Sequence, residues 1–95
     1  MAFTYEWDEN KNTLNFEKHG VWFEEARTIW ADPHAHEFFD VDHSSSDEDR
    51  FIRVGVSSQQ KTLLVVFCEK NEGVIRIVSA RRATAQEKKQ YEEGI

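Results

Sequence analysis

The run Leu63–Cys68, LLVVFC, constrains this chain more than any other stretch. A β-strand sends successive side chains to opposite faces, so an unbroken apolar run has no polar face to give to water. It is far shorter than the roughly 20 residues of a membrane span. Turn residues bound it, with Ser58-Gln59-Gln60 before and Asn71-Glu72-Gly73 after. The run therefore predicts the central strand of a sheet, Thr62–Glu69, with antiparallel hairpin neighbours over Arg50–Ser57 and Val74–Arg82.

The remaining elements follow from local pattern. Phe3 to Trp7 alternates and predicts a short strand. Asp8 is placed to cap a helix over Glu9–His19, which Gly20 stops. That helix has only Leu14 and Phe16 to bury, while Lys11, Asn12, Asn15, Lys18 and His19 fall within an arc of about 120° on another side. A second helix is expected over Phe23–Ala31, with Trp22, Phe23, Ala26, Ile29 and Trp30 as its core stripe and Asp32-Pro33 as its end. An outer strand is expected over His34–Val41, a loop over Asp42–Asp49, and a capping box at Thr84 and Glu87 opens a last helix to Glu93. The sum is a single α+β domain over residues 1–95: a small antiparallel sheet, two N-terminal helices packed on one face, and a C-terminal helix.

Composition decides between classes of function. The net charge is -6, which speaks against broad nucleic-acid binding, yet residues 37–50 carry a balance of -5 and residues 74–89 one of +4. Cationic contacts are therefore expected to be local. With one cysteine, Cys68, no internal disulfide is available and a buried hydrophobe is expected there. No secretory signal is read at the N-terminus, and the cytoplasm is the expected compartment. His34, His36, Asp40, Asp42 and His43 cluster in sequence but lack zinc-site spacing, so neither metal nor cofactor is expected. There is no nucleophile elbow and no glycine-rich phosphate loop.

What remains is the arginines. Strict alternation places Arg76 and Arg82 opposite Ile75 and Ile77, and Arg53 opposite Ile52 and Val54, so that Arg53 and Arg76 share one face. Guanidinium groups there suit bidentate phosphate binding. Equally, they suit ion pairs with Glu69, Glu72 or the acidic loop, and the pattern leaves both open.

Three blocks, YEWDENKNTLNFEKHGVWFEEA (5–26), DRFIRVG (49–55) and RIVSARRATAQEKKQYE (76–92), together resemble the BrnT toxins of bacterial type II toxin–antitoxin systems. The resemblance runs over nearly the whole chain. It implies a fold similar to the RelE-type ribonuclease toxins and a metal-independent endoribonuclease that arrests growth. It also implies a BrnA-like ribbon-helix-helix antitoxin as partner, with DNA met only through that antitoxin and no membrane. The matching residues with chemistry suited to cleaving RNA are Lys18, His19, Arg50, Arg76 and Arg81. Lys11, Asn15, Arg53 and Arg82 are the expected RNA-binding set. A different class of function, a non-catalytic module that only binds its partner through the basic strip, fits the same charge pattern. So does an RNA-binding domain that does not cleave. In a simple meander Arg50 and Arg81 lie roughly 20 Å apart at 3.3 Å per residue, too far to share a phosphate.

Overall fold

The computed structural model describes residues 3–42, 44, 45 and 48–94. The expectations for His43 in the histidine cluster and Asp47 in the acidic run lie outside these residues. In chain order the elements are β1 (Thr4–Glu6), α1 (Glu9–His19), α2 (Phe23–Ala26) continuing as a 3-10 turn (Arg27–Ala31), β2 (His36–Phe39), β3 (Phe51–Val56), β4 (Thr62–Asn71), β5 (Val74–Arg82) and α3 (Ala85–Glu93). The five strands form one sheet in the order β1-β5-β4-β3-β2. As LLVVFC requires, β4 lies at its centre. The sheet is mixed rather than wholly antiparallel, because β1 pairs parallel to β5, with Tyr5 opposite Ile75.

Both faces of β4 are covered, each by a different part of the chain. Leu63, Val65 and Phe67 meet Phe23, Ala26 and Ile29 on the helical face, together with Ile75 and Ile77 of β5. Leu64 and Val66 face the other way, joined by Val54, Ile52, Val78 and Tyr91. Ile52 and Val54 therefore pack away from the first two helices, not toward them. Since β3 alternates, Arg53 lies on the helical face, its guanidinium carbon 5.2 Å from the Trp30 ring centroid. Arg76 pairs across from Cys68 on the opposite face. The two arginines expected to share a face are on different ones.

The first helix turns its polar side inward. Asp8 caps it by accepting from the Asn10 and Lys11 amides, and Gly20 ends it at φ 72°. Asn12 and Asn15 are 2% and 8% exposed, whereas Leu14 is 61% exposed and Phe16 stacks outside on Trp22. Buried amides are stable only when their hydrogen bonds are met, and here they are. Asn12 Oδ1 accepts from the Phe23 amide at 2.8 Å, holding the start of α2. Trp22, expected in the core stripe, lies outside it. The second helix tightens after Ala26 into the 3-10 turn, which presses on β3 so closely that a Cβ at Gly55 would come within 3.2 Å of Ile29 Cβ and 3.1 Å of Ala35 Cβ. Close approach, rather than a positive φ, accounts for that glycine.

Candidate active site

The face of the sheet away from α1 and α2 is concave. It encloses a groove of about 500 Å³, within the range of about 300–1,000 Å³ typical of ligand sites. Its floor is aliphatic, formed by Ile52, Val54, Leu64, Val66 and Val78. His19, Arg81, Glu87 and Gln90 border one side, and His36, Phe38, Asp40 and Arg50 the other, with Tyr91 also in its lining.

One extra residue decides which arginine enters. In the β4–β5 ladder Val66 pairs with Ser79 but Phe67 pairs with Ile77, so Val78 is a bulge. A bulge reverses the alternation beyond it. Arg81, opposite Leu64, thus faces the groove, while Arg82, opposite Leu63, does not. Unbroken alternation from Ile75 would have exchanged them.

Asn15 then brings a second group alongside. Its side-chain amide donates to the carbonyls of Val21 at 2.9 Å and Ala80 at 2.8 Å, and its Oδ1 accepts from the Ala80 amide at 3.1 Å. Ala80 immediately precedes Arg81, and His19 stands one helical turn beyond Asn15. The side chain expected to touch RNA is instead a buried clasp that sets His19 and Arg81 on the same groove.

Arg81 is held ready by Glu87. Its two terminal nitrogens reach the two carboxylate oxygens at 2.9 and 3.0 Å. Glu87 also completes the capping box, accepting from the Thr84 amide at 2.8 Å. The Arg81 hydrogen bonds, opposed by burial and aided by the Thr84 amide, hold the Glu87 carboxyl down at about 2. A carboxyl with a depressed folded value stabilises the fold above its unfolded value of 4.5 and loses that contribution as pH falls toward 2. With Arg81 38% and Glu87 29% exposed, solvent screening leaves a contribution of about 1 kcal/mol. Thermal unfolding should therefore show wild type about 1 kcal/mol more stable than Glu87→Gln at pH 6, with the gap closing between pH 4.5 and 2.

The last helix is fixed at its other end by Asp32, which pattern alone read only as a helix stop. Asp32 accepts from the His34 and Val56 amides at 2.9 and 2.8 Å and from the Tyr91 hydroxyl. Burial raises the Asp32 carboxyl, but these hydrogen bonds outweigh it and the net direction is down. Burial, then the bond to Asp32, pushes Tyr91 up to about 12, so it stays a donor. His36, read earlier as one of a metal-like cluster, meets the Tyr91 ring edge-on at 5.9 Å. Among the described residues no group of three or more His, Cys, Asp and Glu side chains is arranged to hold a metal ion.

Of the other expected residues, Arg50 shares the groove and the rest lie outside it. Lys11 and Lys18 are exposed on α1 and do not line the groove. Arg76 pairs with Glu6 at 3.0 Å, and Arg53 with Glu37 at 2.8 Å. Arg50 lines the groove while its Nε bonds Glu48 at 3.1 Å. The ion-pair reading of the strand arginines thus holds in kind: Arg53 takes Glu37 of the acidic 37–50 run, and Arg76 takes Glu6 rather than Glu69 or Glu72. Cys68 is buried, as expected of a small hydrophobe. Among the described residues no helix is long and apolar enough to cross a membrane.

A five-stranded mixed sheet with α1 and α2 on one face, and α3 beside an aliphatic-floored groove bordered by two paired arginines on the other, defines a small α+β protein. The model of a family described as "Ribonuclease toxin, BrnT, of type II toxin-antitoxin system" matches residues 7–87, and the chain belongs to that family. The crystal structure of the Brucella abortus ribonuclease toxin BrnT matches with a TM-score of 0.65 at 22% identity, covering 87% of this chain and 99% of that one. At that identity the likeness is one of fold. No curated protein matches this sequence. Membership of a type II toxin–antitoxin family implies an antitoxin partner.

Proposed function

We propose that the protein is an endoribonuclease toxin of the cytoplasm whose active site is the groove, with His19 and Arg81 at the scissile phosphate. The observation that carries this is the Asn15 clasp, which seats an imidazole and a bidentate-capable guanidinium on one concave surface. In the reaction the RNA 2′-oxygen attacks the adjacent phosphorus. A bond forms from O2′ to P, the bond from P to O5′ breaks, and the products are a 2′,3′-cyclic phosphate and a 5′-hydroxyl. Arg81 supports charge on the non-bridging oxygens. His19 moves a proton at the reacting oxygens, a role imidazole fills near neutral pH. Both steps use side chains alone.

Arg50 serves a different phosphate. Arg81 lies opposite Leu64 and Phe51 opposite Phe67, so Arg50 is displaced by four residues and two strands. That is roughly 13 Å along the sheet and about 10 Å across it. The two arginines straddle a nucleotide. Lys18 and Arg76, outside the groove, contribute to binding of the substrate or of the antitoxin, for which a BrnA-like ribbon-helix-helix protein is the proposed identity.

Controlled expression without the antitoxin tests this reading. It should arrest growth with loss of cellular RNA, and purified protein should leave cyclic phosphate ends. Growth arrest by wild type and His19→Ala alike, with RNA intact, would favour the module that only binds a partner.

A further inference from the structure

The groove holds more than phosphate chemistry needs. Between Arg81 and Arg50 it offers five aliphatic side chains and, at its edge, the ring of Phe38, which is 50% exposed. Phe38 stands opposite Ile52 on the groove side of β2, while Phe39, opposite Phe51, points to the other face. An aliphatic floor has no affinity for phosphate, and an aromatic ring beside it suits a flat apolar partner. A nucleobase has that character, and aromatic side chains bind bases by stacking regardless of sequence.

The charges point the same way. Among the described residues of the lining, the guanidinium groups are those of Arg50 and Arg81, each already beside a carboxylate, and Asp40 is also in the lining. Duplex RNA is held by repeated phosphate and 2′-hydroxyl contacts along its grooves. A border with two paired arginines, in a chain of net charge -6, is poorly built for such a track.

We infer that the groove is a nucleotide subsite for single-stranded RNA, taking one unstacked base onto the aliphatic floor against Phe38 while Arg81 and Arg50 hold the phosphates on either side. This rests on the reading of the groove as the RNA site. Gln90 and Ser79, also in the lining, supply hydrogen-bonding groups for the base edge.

Fluorescence anisotropy with a 2′-O-methyl oligonucleotide, which cannot be cleaved, tests binding apart from reaction. The probes are the single strand, its duplex, and the strand with abasic residues, with cleavage of the unmodified strand followed in parallel. The single strand should bind at least about 10-fold tighter than the duplex or abasic strand, and Phe38→Ala should lose roughly 10-fold on the single strand only. Phe39→Ala, on the opposite face, should bind as wild type. Two phosphate contacts at about 0.7 each predict a log–log salt slope near -1.4. Equal affinity for the duplex, a slope steeper than about -4, or an unchanged Phe38→Ala overturns the subsite. In that last case the ring is left to a protein partner. Base-dependent binding without cleavage sustains the subsite and sinks the ribonuclease reading; cleavage without base dependence does the reverse. No binding of any probe together with no cleavage overturns both.

Discussion

Arg81→Ala is expected to slow RNA cleavage by about 10²–10³-fold, the cost typical of removing one preorganised donor from a developing oxyanion. Arg81 enters the groove because of the Val78 bulge, and its two terminal nitrogens are fixed on the two carboxylate oxygens of Glu87. That pairing also makes the result open to a rival explanation. Losing Arg81 strips Glu87 of its partner and loosens the start of α3, which is a structural route to lower activity. Two further variants separate the cases. If Arg81 acts only by fixing α3, Glu87→Ala should lose as much activity as Arg81→Ala. If Arg81 meets the phosphate, Glu87→Ala should cost far less, because the guanidinium remains. Arg81→Lys keeps the charge but not the planar fork, and it should recover only part of the rate. The measurement is single-turnover cleavage of a defined single-stranded RNA, with far-ultraviolet circular dichroism to establish that each variant is folded. A cleavage rate for Arg81→Ala within threefold of wild type would remove Arg81 from the site.

Much of this architecture was legible in the chain. The run Leu63–Cys68 placed the central strand, the Thr84–Glu87 box is present as read, and β5 spans Val74–Arg82 as expected. These signals are local: apolar patterning and capping depend on neighbours in sequence. The parts that escaped depend on partners far away. Nothing around Asn15 announces that its amide will meet Ala80, 65 residues on. On a helix with two apolar side chains, the hydrophobic rule chose Leu14 and Phe16 as the buried pair, and tertiary hydrogen bonding chose the asparagines instead. Strand parity failed in the same way. Alternation read from Ile75 and Ile77 is correct up to Val78 and inverted after it, because a bulge is a property of the pairing with β4. Arg53 went to the wrong face because β3 offers Ile52 and Val54 to the groove and not to the helices. A paired bulge and a double clasp need the partner strand in view.

Those same distant bonds make Asn15 the position where the fold and the site are most tightly joined. Asn15→Ala is expected to destabilise the protein by about 2–4 kcal/mol. The side chain is 8% exposed and makes three hydrogen bonds, to the Val21 carbonyl and to both backbone groups of Ala80. Each is worth roughly 1 kcal/mol net, and cutting them leaves buried backbone groups without partners, which adds to the cost. For a chain of this size the loss corresponds to a fall in Tm of about 10–25 °C. Asn15→Asp should be at least as harmful, since a carboxylate can accept from the Ala80 amide but would face two carbonyls it cannot donate to. Lys18→Ala, exposed three residues further along α1, should leave Tm within about 2 °C. The clasp also predicts a functional consequence separate from stability. Measured well below its Tm, Asn15→Ala should still cleave more slowly than wild type, because His19 and Arg81 are no longer held to one geometry, and a misplacement of about 1 Å can cost about 100-fold. A Tm shift under 3 °C would show that α1 is held by packing alone. A full shift with cleavage unchanged at low temperature would show that the clasp serves the fold and not the site.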